Sequence, residues 1–502
     1  MPRPTVRAAL ALLCLVPALS LRAEDAPPAF GEASAPIDLS GPVTLQNCVG
    51  LALGRNFTVR IQQFSVFEAV DSVEVQRAAF EPIFTFNANK QVTQEASDQL
   101  QSFGVVPYSD LETAQFTVND TLVTGATVQA GYSLVRSNYN PAYTPPNPSF
   151  GSAATITVTQ PLLHGAGTDY NRAEIERARL GVRISNLNFK SAVLTMILGV
   201  ETTYYNLLYQ RGHYKVQEEE LKQAQQLLDE NTLKRQTGTL TDLDVMNARA
   251  GVATAQNQLI LDRQAVQNSE DSLLQLLGDR KFSTSVGEVD FPPVGDPEVS
   301  FDRSYKLARD QGPSLAAAQA SIDQFKLDVL RAKRDTLPTL NVNGGLGYNS
   351  FAATAGQSVT GPWSGYNWTG GVTLSFPWGM HANKALFHQA ESQVRSQEVT
   401  YDQTDQGLVV AVRSAVRGVG TSIENVRASS ENVKFNEKAY ELTKAQFDAG
   451  LATSYLVLQA QNTLETARVS ELQAKVNLLV AVANLRFYEG SSLQLYRINL
   501  PE

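Results

Sequence analysis

The sequence predicts an α+β membrane protein: an internally duplicated chain whose halves each supply β-barrel strands and one long, coiled-coil-like helical hairpin. Three observations carry this. First, the chain is written twice. Residues 43–87 align with 299–343 without a gap (Val43-Thr-Leu with Val299-Ser-Phe, Pro82 with Pro338), and 171–278 align with 383–490 (Asn171-Arg-Ala with Asn383-Lys-Ala, Gly238 with Gly450, Gly278 with Gly490). Second, the stretches 162–291 and 378–500 hold none of the 22 prolines, and proline is the residue a helix interior excludes. Third, the segments between them alternate apolar with small polar residues, the period of a strand.

In chain order, residues 1–23 read as a signal peptide. Arg3 and Arg7 precede an apolar run, Ala8 to Leu21, and Ala23 supplies the small residue for cleavage. The run is too short to span a bilayer. Cys14 lies inside it, so lipid attachment there is rejected, and Cys48 remains as one thiol on an apolar helix face, with no intramolecular disulfide. With Lys+Arg 41 against Asp+Glu 50, a formal net charge of −9, the balance argues against a nucleic-acid partner. A hydrophobic content of 43% excludes disorder. The mean hydropathy of −0.18 falls short of a helical multispan protein, so any membrane part must be a closed barrel.

A linker, 24–42, leads into repeat one, 43–278. It comprises an opening helix 43–81, strands 82–161, and a helical hairpin 171–278 with its tip near Gly238. A second linker, 279–298, leads into repeat two, 299–490, with an opening helix 299–337, strands 338–378, and a hairpin 383–490 with its tip near Gly450. Residues 491–502 form a tail.

The first hairpin arms carry apolar heptads, Val193, Val200, Leu207, Tyr214, Leu221 and Leu228 in one copy, and Val412, Val419, Val426, Val433 and Tyr440 in the other. The second arms repeat Val245, Val252, Leu259, Val266 and Leu273, matched by Val457, Leu464, Glu471, Leu478 and Leu485. Gly238 and Gly450 are helix stops, and Thr241 or Thr453 can cap the next start. The arm 171–236 would be about 100 Å long at roughly 1.5 Å per residue.

Among the strands, Leu340, Val342, Leu346 and Tyr348 alternate with Asn341, Asn343, Gly345 and Gly347, and Val372, Leu374, Phe376 and Trp378 alternate with Gly371, Thr373, Ser375 and Pro377. Phe84, Phe86, Ile156 and Val158 repeat the pattern in copy one, and Trp363, Tyr366 and Trp368 crowd the strand ends as interfacial girdles do. A half-buried soluble sheet would alternate likewise; the signal peptide and the matched long helices favour the barrel. Copy one also holds an extra hairpin-like pair at 115–134, followed by a Pro-rich loop at 137–150 read as an outer loop.

This order resembles the TolC-type outer-membrane efflux protein family over essentially the whole chain after the signal peptide. The motifs are Val43 to Asn56 (VTLQNCVGLALGRN), similar to the family's opening helix; Thr159 to Gly167 (TQPLLHGAG), its strand-to-helix junction; and Thr237 to Arg249 (TGTLTDLDVMNAR), its first hairpin tip. The resemblance implies a homotrimer with one shared barrel in outer-membrane lipid, two strands per repeat, and an α-helical tunnel through the periplasm. It implies a periplasmic adaptor at the tips and an inner-membrane transporter of RND, ABC or MFS type. Unclosed strand edges in lipid independently require oligomerisation. If the 115–134 hairpin enters the wall, each chain gives six strands instead of four, and three chains give eighteen.

The family closes its periplasmic end with tip residues and aspartate rings. Asp244 matches one such aspartate and Asp242 is adjacent; both also sit where helix N-terminal capping favours acids. The second hairpin has Leu456 and Gln459 where the family has aspartates, which implies a weaker cation preference and a partly apolar constriction. Arg235, Gly238, Thr239, Leu240, Gly450, Leu451 and Ala452 are candidate adaptor-docking residues, or turns and nothing more. No catalytic constellation, cofactor site or metal site is read, so the chain is not expected to be an enzyme; His381 and His388 are spaced too far apart for the usual helical metal pair. The competing class is a poreless periplasmic scaffold or adaptor, against which the strands discriminate.

Overall fold

The computed structural model describes residues 41, 43–94, 108–140, 146–279, 286–289, 292 and 297–500. The signal peptide, nearly all of the first linker, most of the second and part of the Pro-rich loop lie outside the described residues. The order is α1 (Leu45–Arg55), α2 (Phe57–Arg77), β1 (Ile83–Gln94), β2 (Tyr108–Thr121), β3 (Thr127–Asn140), β4 (Ser149–Pro161), α3 (Thr168–Gln236), α4 (Asp242–Leu276), α5 (Phe301–Gln311), α6 (Pro313–Asp335), β5 (Thr339–Ala352), α7 (Ala355–Thr360), β6 (Gly365–Ser375), α8 (His381–Asp448), α9 (Ser454–Glu489) and α10 (Ser492–Leu495).

Each opening segment is two helices, not one. Asn56 breaks the first: its backbone is extended, and its side chain accepts the N–H groups of Thr58 and Val59 to cap α2. Gly312 breaks the second in the same conformation, with Pro313 at the first helical position, where its missing N–H costs nothing. The duplication extends to backbone detail. Gly278 and Gly490 end the second arms at a φ of +73 each. A Cβ there would lie 2.7 Å from the Arg55 carbonyl oxygen and 3.2 Å from that of Gln311. These are the final residues of α1 and α5.

The main core lies where α1 meets the upper part of the first hairpin, from Cys48, Val49 and Ala52 to Val193, Ile197, Val200, Leu207, Leu273 and Leu274. Each of the Val, Leu and Ile side chains among them contributes about 1.5–3 kcal/mol. Burial pushes the Cys48 thiol up to about 11, so it is unreactive at neutral pH. Lower on α3 the heptad expectation shifts by a few residues: Gln217, Glu220, Ala224, Leu227 and Asn231 are buried, while Tyr214, Leu221 and Leu228 are half-buried. Helix α6 fastens to α3 through polar links. Arg331 pairs with Glu174, Arg177 Nε lies 3.1 Å from Asp328, and the Tyr170 hydroxyl donates to Asp335 at 2.8 Å.

All six strands form one antiparallel sheet in the order β1-β2-β3-β4-β5-β6. Repeat one therefore gives four strands and repeat two gives two, against the two per repeat that the resemblance implies. The inserted β2–β3 hairpin lies between β1 and β4, because its own alternation matches theirs on both faces. One transverse row reads Phe84–Val118–Ala130–Ile156–Leu346–Trp368, and the next on that face reads Phe86–Phe116–Tyr132–Ala154–Tyr348–Tyr366. The opposite face reads Thr85–Thr117–Gly131–Thr155–Gly347–Asn367 and Asn87–Gln115–Ser133–Ala153–Asn349–Gly365. Within the six described strands this second face carries no Asp, Glu, Lys or Arg. The apolar side of β5, Leu340 to Tyr348, rises about 20 Å at roughly 3.3 Å per residue and a tilt near 40°. Beyond it, at the end away from the long helices, the same face turns charged: Lys90 Nζ lies 2.8 Å from Glu112, and Arg136 lies 3.1 Å from the same carboxylate. No helix among the described residues is long and apolar enough to cross a membrane.

Candidate aperture and docking tips

The two hairpin tips are built the same way. Thr239 N–H bonds the Lys234 carbonyl at 2.9 Å, and Leu451 N–H bonds that of Gln446 at 2.8 Å. Gly238 (φ +81) and Gly450 (φ +75) provide the left-handed residue that this helix ending needs. The tips differ at the next helix start. Thr241 and Asp244 form a reciprocal capping box: Thr241 N–H donates to Asp244 Oδ2 at 3.0 Å, and Asp244 N–H donates to Thr241 Oγ1 at 3.3 Å. Thr453 makes no side-chain cap bond, and Leu456 at the third helical position has no carboxylate to return the reciprocal bond that Asp244 supplies. Asp242 is exposed and lies 2.5 Å from Arg235.

Gly238, Thr239, Gly450, Leu451 and Gln459 are exposed, Leu451 at 81%. Leu240 and Ala452 are instead half-buried against a small cluster of Leu227, Phe447 and Val457. This cluster joins the two hairpins, and polar links surround it. Lys234 Nζ sits 3.8 Å from the Phe447 ring centroid and 3.6 Å from Asp448, and Asn231 Nδ2 donates to Ser454 Oγ at 2.5 Å. The tip surface also exposes Leu233, Leu243, Met246, Tyr455 and Leu456. Of these, sequence reasoning singled out Leu456 alone; an apolar side chain beside a helix stop was the signal available for the rest.

Above the tips, α3 and α9 share a buried polar layer that sequence reasoning did not find. Gln217 bonds Glu465, and Arg468 lies 2.9 Å from Glu437 and 3.8 Å from Glu219. Glu220 is pushed up to about 7, first by burial and then by the nearby Glu465 charge, with Gln461 and Arg468 acting in the opposite direction. The histidines are spent elsewhere: His213 Nδ1 lies 2.7 Å from Asp262, and His164 Nδ1 3.2 Å from Asp335. No cluster able to hold a metal ion occurs among the described residues.

A two-faced antiparallel sheet carried on two matched helical hairpins defines a membrane-duct class of protein. Residues 48–279 and 304–491 match the family described as outer membrane efflux protein. The chain belongs to that family, whose members are outer-membrane channels and not enzymes. It is 24% identical over 365 residues to the outer membrane protein TolC of Vibrio cholerae, covering 71% of this chain and 80% of that one. It is 24% identical over 355 residues to the alkaline protease secretion protein AprF of Pseudomonas aeruginosa, covering 67% and 69%. The solved structure of the Campylobacter jejuni CmeC outer membrane channel matches its fold with a TM-score of 0.69 at 16% identity, over 94% of this chain and 95% of that one.

Proposed function

We propose that three copies of this chain form a sealed exit duct of a tripartite efflux pump or type I secretion system. Substrate enters at the tips from an inner-membrane transporter of RND, ABC or MFS type, through a periplasmic adaptor, and leaves untransformed.

The observation that carries this reading is a set of contacts made once and left open once. Among the described residues the outer edges of β1 and β6 are unpaired, a state that lipid does not tolerate. Being antiparallel to one another, they can pair between copies. The helices repeat the theme. The repeat counterparts of the ion-paired Glu174 and Arg331 are Leu386 and Val75, which are exposed at 58% and 67%. Leu472 of α9 packs on Gly212 of α3, while its counterpart Ile260 on α4 is exposed. A neighbouring copy would complete each open contact, giving a head-to-tail interface that closes into a ring. Three copies is the number that the resemblance implies.

At the narrow end, Asp242 and Asp244 would ring the aperture with Leu456 and Gln459, and exposed Arg235, Gly238, Thr239, Gly450 and Leu451 would dock the adaptor, with Leu240 and Ala452 shaping the turns from behind. Light scattering of the detergent-extracted protein, with detergent subtracted, should give a trimer mass. A water-soluble monomer or dimer would remove the shared barrel and leave a helical scaffold.

A further inference from the structure

We propose that the inserted β2–β3 hairpin is barrel wall, so that three copies close an eighteen-stranded barrel with a wide, uncharged lumen. This rests on the duct reading above and deepens it.

Three independent observations place the hairpin in the wall. It is hydrogen-bonded along its length on both sides, to β1 from Tyr108 to Asn119 and to β4 from Thr127 to Ser137. It also continues both faces of the sheet. Val118, Phe116, Ala130 and Tyr132 extend the apolar rows, and Thr117, Gln115, Gly131 and Ser133 extend the polar ones. A plug folded into the lumen or a flap on the surface has no reason to carry a lipid-compatible stripe in register with its neighbours.

The hairpin is also fastened at its turn and at mid-strand. Its helix-side turn at Gly125 (φ +87) presses against the β4–α3 junction, and a Cβ there would lie 2.2 Å from the Gly165 carbonyl oxygen. Thr124 accepts the Gly167 N–H at 3.2 Å, and Asn171 Nδ2 ties that junction together at Gly165 and Gly167. At mid-strand, the β5–β6 connection folds back over the apolar face. Ser358 meets Ser152 at 3.0 Å, and Trp363 packs on Tyr132 of the inserted hairpin, ring centroids 6.1 Å apart.

Barrel diameter grows roughly linearly with strand number, so eighteen strands instead of twelve give an exit about half again as wide and about twice the cross-section. Twelve long helices, four from each copy, would still form the tunnel below it, so the duct flares toward the outside. With no charged residue on its lumen-facing side among the described strands, the exit supplies width without charge selection.

Cysteine pairs in native outer membranes test this, because Cys48 is buried and leaves the background quiet. The expected result is disulfide formation within one chain for Asn87→Cys/Gln115→Cys and for Ser133→Cys/Ala153→Cys, and none for Asn87→Cys/Thr155→Cys. The barrel cross-section of the wild-type trimer by electron microscopy should show eighteen strands. A strong Asn87→Cys/Thr155→Cys crosslink with the other two pairs silent, or twelve strands in the image, would overturn the proposal while a trimer mass keeps the duct reading intact. A non-trimeric mass would bring down the duct reading and the count of eighteen together, whatever the crosslinks show.

Discussion

Glu220 carries the clearest pH signature of any single residue. Its carboxyl titrates near 7 in the folded chain, mainly because it is buried between α3 and α9 and faces Glu465. A carboxylate raised above its ordinary value binds more protons in the folded than in the unfolded state across that interval. Its stabilising contribution is therefore full below the ordinary carboxylate range and is lost as pH rises through about 7, by on the order of 1–3 kcal/mol. Thermal unfolding of wild type should weaken between pH 5 and 8, and Glu220→Gln should flatten that slope and be the more stable form at pH 8. Equal slopes in both proteins would refute the assignment. Asp244 separates two roles in a similar way. Asp244→Ala removes the capping box and should cost about 1 kcal/mol, whereas Asp244→Asn keeps an acceptor for Thr241. Reversal potentials of reconstituted channels that shift equally in both variants support an acidic ring at the aperture. A stability change without any shift in potential leaves the cap as its whole role. Gly238 and Gly450 were legible in the sequence because a glycine after a helical run has a local cause. Glu220 and Lys234 were not, because what surrounds them comes from α8 and α9, some 200 residues away.

At the scale of elements, repeat counterparts can be exchanged. Glu174 and Arg331 pair within the chain, and Leu386 and Val75 occupy the matching positions on surfaces proposed to meet between chains. Leu386→Glu or Val75→Arg alone would place an unpaired charge in an apolar contact and should destabilise the trimer by about 1–3 kcal/mol. The double variant rebuilds the ion pair across the boundary and should recover part of that loss, read as detergent-resistant trimer on heating. Additive losses would mean that the two positions do not face each other. The long arms, the tips and the alternating strands were legible because each is a short-range periodicity. The breaks at Asn56 and Gly312 were read through, because neither residue interrupts the apolar period of its helix. The sequence leaves the strand number open between four and six, because strand neighbours are chosen by side-chain register over the whole sheet.

At the scale of the whole molecule, the tips are where the duct meets its partners, and Leu451 is the most exposed apolar side chain there. Leu451→Asp should leave trimer mass and outer-membrane yield unchanged and reduce transport by the intact pump at least tenfold. Unchanged transport would move the docking surface elsewhere. The two kinds of helix seam have a consequence for how such a tube would deform. Around the ring, the α3–α6 seams inside each chain include ion pairs, and the α8–α2 seams between chains would be held by apolar contact. Added salt weakens the first kind and spares the second. A tube that looks six-fold in outline would therefore answer salt with three-fold symmetry, its ion-paired seams within each chain being the more sensitive set.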